Sequence, residues 1–332
     1  MALSGGANNG AWEAGVLKGL MEYGNEEDFY YDIVTGVSAG AINTAALAAF
    51  APDDIRNATS FLSDTWTQIS NPDVWKLWED EGLVKGCLTE TGCFDDSPLV
   101  AFTDTVLKEF PDGFKKLVAV GSANVNNGSY EVFTNKNTSW EDFHEAAVAS
   151  SSIPGVFPAA HFKNMTLMDG GTIWDVNVIS AIAECALNFD VQDSSDITID
   201  IMICAPAKDE SFEPGKNALG DWLNAYQLHK SYHSLNSLQW QLRANPDNNY
   251  RYLFYEEHPS NGLSLLDFRN STTYPLQEQG MENAKEMLSL GEKTGFCAIK
   301  KWFDDEKNMV AQYGDFMTYL RTFKDKECNE GE

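Results

Sequence analysis

Three short glycine-containing segments hold the residues with types and spacing suited to chemistry. Ser38 lies in Gly36-Val37-Ser38-Ala39-Gly40, a G-x-S-x-G pattern between a strand-like and a helix-like stretch. Glycines on both sides let the backbone turn sharply, and a serine at the tip of such an elbow presents its hydroxyl as a nucleophile. The amide of Ala39 then opens a helix, where unpaired N–H groups and the helix dipole favour an oxyanion. Upstream, Ser4-Gly5-Gly6-Ala7-Asn8-Asn9-Gly10 is built of small residues. Bare backbone there can approach a ligand, and the amides of Gly5, Gly6 and Ala7 can converge on one oxygen as an oxyanion hole. Downstream, Asp169-Gly170-Gly171 puts a carboxylate at a strand end. Within reach of a serine hydroxyl, it can serve as general base. Each segment alone also has a structural explanation: a helix-capping serine, a tight glycine turn, an ordinary Asp-Gly turn.

These segments need a scaffold, and the surrounding pattern predicts one. Met1 to Ser4 reads as a strand end, Ala11 to Tyr23 as a helix, Tyr31 to Thr35 as a buried strand and Ala41 to Phe50 as a helix stopped near Pro52. Strand, glycine turn and helix, repeated, predict a parallel α/β sheet. Further strands are expected at Leu117 to Val125, Tyr130 to Thr134, Met165 to Met168, Ile197 to Cys204 and Tyr250 to Tyr255. Helices are expected at Asp53 to Ile69, from Ser97 to about Phe110, at Trp140 to Ser150, at Ile179 to Phe189, near Leu219 to Leu242 and from about Met281 onward. Asn71 to Asp96 reads as irregular. With 332 residues, 43% of them hydrophobic, the chain can bury a sizeable core. One domain over 1–325 is expected, with the motifs in 1–190, a helical part over 205–325 and a flexible tail at 326–332.

The nucleotide alternatives fail on their letters. A Walker loop needs Gly-Lys-Ser/Thr, whereas Gly10 is followed by Ala11 and Trp12, and Gly5, Gly6 and Gly10 do not match G-x-G-x-x-G. A net charge of −27 argues against a nucleic-acid partner, because phosphate binding needs clustered Lys and Arg. It also disfavours tight docking on anionic membranes. No apolar run approaches the roughly 18 residues of a membrane span.

The six cysteines lack C-x-x-C spacing. Cys87 and Cys93 can close a small disulfide loop, Cys204 reads as a core thiol, and free buried thiols are expected for most. Five N-x-S/T sequons, at Asn57, Asn127, Asn137, Asn164 and Asn270, are compatible with a secretory route without establishing it. Met1 runs directly into residues that read as folded structure, so no signal peptide is expected. His229 and His233 share a helix face, but no H-E-x-x-H completes a metal site and a packing role is expected. Trp66, Trp75 and Trp78 form an aromatic segment that suits core packing or, alternatively, an acyl pocket or a lipid interface.

Taken together and in this order, the three segments resemble the patatin-like phospholipase family. Ala149-Ser150-Ser151-Ser152-Ile153-Pro154-Gly155-Val156-Phe157-Pro158 resembles that family's stretch before the aspartate. The resemblance covers about residues 1–190 and implies a three-layer α/β/α sandwich around a mostly parallel sheet, with the helical part following. It implies a lipid acyl ester hydrolase of phospholipase A or lysophospholipase type, with a Ser38–Asp169 dyad and no catalytic histidine. The oxyanion hole would come from Gly5, Gly6, Ala7 and Ala39, supported by Gly10, Gly36, Gly40, Gly170 and Gly171. No metal or cofactor is implied. The partner is a lipid carrying an acyl ester, met at a membrane or micelle surface. Ala7 replaces the third glycine usual in the family's first turn, and Asn9 replaces its frequent cation, which weakens contact with phosphate headgroups. The competing readings are a Ser-His-Asp α/β-hydrolase, for which Ser38 comes too early, and a non-catalytic lipid-binding or storage protein, against which Ser38 and Asp169 argue.

Overall fold

The computed structural model describes residues 1–79, 82–205, 218–258 and 262–304. The expected tail and the part of the expected helical region beyond residue 304 lie outside them. The chain opens with β1 (Ala2–Leu3), α1 (Gly10–Tyr23), β2 (Ile33–Gly36), α2 (Ala39–Leu47) and α3 (Ile55–Gln68). The short helices α4 (Asn71–Val74) and α5 (Gly82–Thr89) and then α6 (Ser97–Lys108) follow. Next come β3 (Leu117–Asn124), β4 (Tyr130–Thr134), α7 (Phe143–Ser150), β5 (Ala160–Phe162), β6 (Met165–Asp169) and α8 (Val178–Asn188). Then β7 (Thr198–Ile203), α9 (Ala218–Ala244), β8 (Asn249–Tyr255), α10 (Asn270–Leu290) and α11 (Thr294–Asp304) complete the described chain.

The eight strands form one mixed sheet. β3, β2, β1, β7 and β8 run parallel, while β4 and β6 pair antiparallel with β3, and β5 pairs antiparallel with β6. Helices cover both faces, and side-chain alternation shows why. In β7, Ile199, Ile201 and Ile203 pack with Leu235, Leu238 and Leu242 of α9 and Phe296 of α11. Met202, pointing the other way, joins α1, α3 and α10.

The last part of the described chain is bound tightly to the first. α10 crosses α1 so closely that a methyl group on Gly15 would lie 2.1 Å from the Gln277 carbonyl oxygen. One on Gly280 would lie 2.2 Å from that of Trp12. Trp12 Nε1 donates to Asn283 Oδ1 at 2.8 Å across this seam. α10 begins at Asn270, well before the Met281 expected from sequence. Pro275 sits inside it, forgoing one backbone hydrogen bond in a helix held by packing. The segment expected to be irregular contains α4 and α5.

Cys87 and Cys93 are joined as expected. Contrary to the expectation of mostly free thiols, Cys297 is disulfide-bonded as well, and among the described residues Cys185 and Cys204 stand outside any disulfide. All five sequon asparagines are exposed. The tryptophans divide. Trp75 and Trp78 spend their indole N–H groups on the Leu266 and Gly92 carbonyls, whereas buried Trp66 donates to Asn43 Oδ1 at 2.7 Å.

Two buried charges contrast. Asp200 accepts from the Tyr31 hydroxyl at 2.7 Å, from Arg251 Nε at 3.0 Å and from the Tyr252 amide at 3.1 Å. Lys116, just before β3, is 6% exposed, and its Nζ has no hydrogen-bond partner among the described residues. Burial lowers its pKa from 10.5 to about 8, against the pull of Asp32 and Asp54. The unfolded chain therefore binds a proton between about pH 8 and 10.5 that the folded chain does not, so folding stability rises with pH across that window. Lys116→Met should stabilise the fold at neutral pH by about 1–2 kcal/mol. The gain should shrink as pH rises toward 10.5, as read by urea unfolding at several pH values.

Candidate active site

β3 organises the site. β4 occupies one of its edges along Ala119 to Ala123. The other edge is shared by β2, paired at Leu117 to Val120, and β6, paired at Ser122 to Asn124. These two strands point at each other end to end. β2 stops at Gly36, opposite Val120, and β6 stops at Asp169, opposite Ser122. Gly170 fills the gap between them, pressed against the Gly121 carbonyl. The elbow and the aspartate, far apart in sequence, thus emerge at one point of the sheet.

Ser38 sits at the tip of the elbow with φ 54° and ψ −123°, a left-handed conformation costly for a residue with a Cβ. Gly36 and Gly40 make the turn possible. A methyl group on Gly36 would lie 2.0 Å from the Gly40 carbonyl oxygen, and one on Gly40 would lie 2.6 Å from that of Ser4. α2 begins at Ala39, two residues earlier than expected, because Ser38 itself occupies the cap position.

Three consecutive serines at the end of α7 hold this strain in place. Ser150 Oγ accepts from the Ser38 amide at 2.9 Å and donates to the Gly121 carbonyl at 2.5 Å. Ser151 Oγ donates to the Ser38 carbonyl at 2.9 Å. The Ser152 carbonyl accepts from the Asp169 amide at 2.9 Å. Ser38 and Asp169 are therefore fixed by one segment. The sequence singled out that segment as a resemblance but offered no pattern for these bonds.

Ser38 and Asp169, 5% and 4% exposed, line one cavity of about 220 Å³ together with Gly5, Gly6, Ala7, Gly171 and Asp175. Ser38 Oγ makes no hydrogen bond among the described residues. Asp169 Oδ1 accepts from the Gly171 amide at 2.7 Å. The Asp175 carboxylate, absent from the sequence expectations, is 1% exposed. Burial, and then the charges of Asp169 and Asp175, push the neighbouring Tyr130 phenol above its ordinary range.

The expected oxyanion turn needs one correction. The Gly5 amide donates to the Asp175 carbonyl at 3.0 Å, so it is not a spare donor. The amides of Gly6, Ala7 and Ala39 have no acceptor among the described residues. Ala7 has φ 50°, the conformation that favours glycine at this place. Asn8 anchors the turn by donating to the Ser264 and Asp267 carbonyls at 2.7 and 2.9 Å, and Gly10 starts α1. His229 reaches the cavity rim and stacks on His233, their ring centroids 5.5 Å apart. His233 Nε2 lies 2.7 Å from the Ile173 carbonyl oxygen.

A second, apolar cavity of about 40 Å³ opens from the same serine. It shares Ala7, Ser38 and Ile153 with the first and is walled by Ile42, Trp66, Leu99 and Phe268. Ile42, Trp66 and Ile69 carry it on toward Leu62, Phe102 and Leu107.

The serine clamp predicts an asymmetry. The Ser38 carbonyl also accepts from the Ala41 and Ile42 amides, whereas its amide has Ser150 as its acceptor. Ser150→Ala should therefore destabilise the fold by about 2 kcal/mol, and Ser151→Ala by under about 1 kcal/mol, in denaturant unfolding.

A model of the patatin-like phospholipase family matches residues 1–182. No curated protein sequence matches the chain. Among solved structures, VipD from Legionella pneumophila aligns over 96% of this chain and 73% of its own, with 11% identity and a TM-score of 0.40. The ExoU–SpcU complex from the type III secretion system of Pseudomonas aeruginosa aligns over 86% of this chain and 50% of its own, with 18% identity and a TM-score of 0.35.

Proposed function

The chain belongs to the patatin-like phospholipase family, and on that premise we propose that it is a lipid acyl ester hydrolase in which Ser38 is the nucleophile and Asp169 its base. The observation that carries this reading is a strained serine elbow opening on the cavity that Asp169 also lines. Asp169 takes the proton of the Ser38 hydroxyl as Oγ bonds to the ester carbonyl carbon. Hydrogen bonds of this kind often tighten only when substrate is bound. Negative charge moves to the carbonyl oxygen, where the amides of Gly6, Ala7 and Ala39 supply donors in a water-poor site. The tetrahedral adduct collapses, the ester C–O bond breaks, and the leaving alcohol takes the proton from Asp169. Water then attacks the acyl-enzyme, giving its proton to Asp169, and release of the fatty acid returns that proton to Ser38. The apolar cavity beside Ser38 suits the acyl chain, and Trp66 contributes to its wall.

Ser38→Ala should reduce fatty-acid release by roughly 10⁴-fold or more. Asp169→Asn should reduce it by roughly 10³-fold. Replacing each of the five histidines in turn should leave turnover within about threefold. Ester hydrolysis that persists in Ser38→Ala, or vanishes with a single histidine, would refute the dyad. Ile42→Phe narrows the apolar cavity, and should lower kcat/KM for a sixteen-carbon nitrophenyl ester at least tenfold more than for a four-carbon one.

A further inference from the structure

The cavity beside Ser38 holds a second carboxylate that the proton transfers above do not use. Asp175 lies in the turn that follows β6 and is 1% exposed. One oxygen, Oδ2, is anchored by the hydroxyl of Ser234 from α9. The other, Oδ1, has no hydrogen-bond donor among the described residues and faces the cavity. Two glycines fix where it points. A methyl group on Gly5 would lie 2.7 Å from Asp175 Oδ1 and 2.9 Å from Ser38 Cβ. One on Gly171 would lie 2.9 Å from Asp175 Oδ1 and 3.0 Å from Asp169 Oδ1. The free oxygen of Asp175 therefore stands close to both the nucleophile and the proposed base.

An anchored, desolvated carboxylate oxygen is a strong acceptor waiting for a donor. Among the described residues, two acidic side chains and no Lys or Arg line this cavity. Carboxylates oppose a phosphate held near the scissile ester, and the hydroxyl of Thr172 and the ring of His229 complete the polar lining at the rim. Resting on the acyl-hydrolase reading, we infer that this cavity is a head-group subsite in which Asp175 accepts a hydrogen bond from a substrate hydroxyl. It selects neutral, hydroxyl-bearing acyl esters over those with an anionic phosphate next to the scissile bond.

The test compares a monoacylglycerol with a lysophosphatidic acid of the same acyl chain, both in neutral detergent micelles. The full chain should favour the monoacylglycerol at least tenfold in kcat/KM. In Asp175→Asn, which keeps the shape but not the charge, that ratio should fall at least tenfold. Ser234→Ala loosens the anchor and should move the ratio the same way by a smaller factor, an independent reading should the first variant fold poorly. An unchanged ratio in both variants, or a wild type that prefers lysophosphatidic acid, would overturn the subsite. Labelling by an uncharged fluorophosphonate separates the levels of failure. A folded Asp175→Asn protein that no longer labels would make Asp175 part of nucleophile activation and end its role in selectivity. A wild type that neither labels nor cleaves any ester would refute the hydrolase reading itself, and the subsite with it.

Discussion

The backbone of Ser38 is the constraint on which the rest of the site depends. At φ 54° and ψ −123°, it stands in a conformation that costs of order 1–3 kcal/mol relative to the common backbone regions. Locally, small residues permit it and the Ala41 and Ile42 amides donate to its carbonyl. Its amide is held by Ser150 and its carbonyl by Ser151, both at the end of a helix more than a hundred residues later. The elbow is thus strained in the first motif and restrained from the second half of the family-matched region. A serine held in this way keeps its hydroxyl clear of its own backbone and open to the cavity.

The sheet supplies the second constraint. Along one edge of β3, two strands of opposite direction meet head to head, so both chain turns must leave the sheet at Gly121. This break in a largely parallel sheet lets an aspartate from an antiparallel strand join a serine from a parallel one. The same arrangement brings Asp175 into contact with the glycine turn, through its carbonyl to the Gly5 amide and through its side chain toward Ser38. One residue then shapes both the glycine turn and the polarity of the cavity.

What was legible in the sequence was local. Gly36 and Gly40 mark an elbow because no other residue type fits there, and period-two runs such as Ile199, Ile201 and Ile203 mark a buried strand. The expected mostly parallel sheet, flanked by helices and followed by a helical part, matches the structure. The expected residues Ser38, Asp169, Gly6 and Ala7 line one cavity. What was not legible depends on distant partners. Asp175 looks like any loop aspartate until Ser234 and Gly5 are placed around it. The Gly5 amide looks like an oxyanion donor until the Asp175 carbonyl is found on it. The start of α10 at Asn270, ahead of Pro275, was not legible either, because the seam that holds α10 against α1 is made of residues whose pairing has no signature in either segment.

That seam has a consequence for how the chain acquires its shape. The turn at Gly5 to Asn9 is pinned by Asn8 to carbonyls at Ser264 and Asp267, and the helix that follows it is clasped by α10. These contacts join positions separated by more than 250 residues. Closing so long a loop is an entropic cost that later contacts must offset, and contacts of this kind form late. A chain growing from its N-terminal end would make the glycine turn first and settle it last. Until then, the backbone that lines the cavity beside Ser38 would be exposed and unshaped. A nascent chain would thus carry Ser38 long before the walls around it were in place.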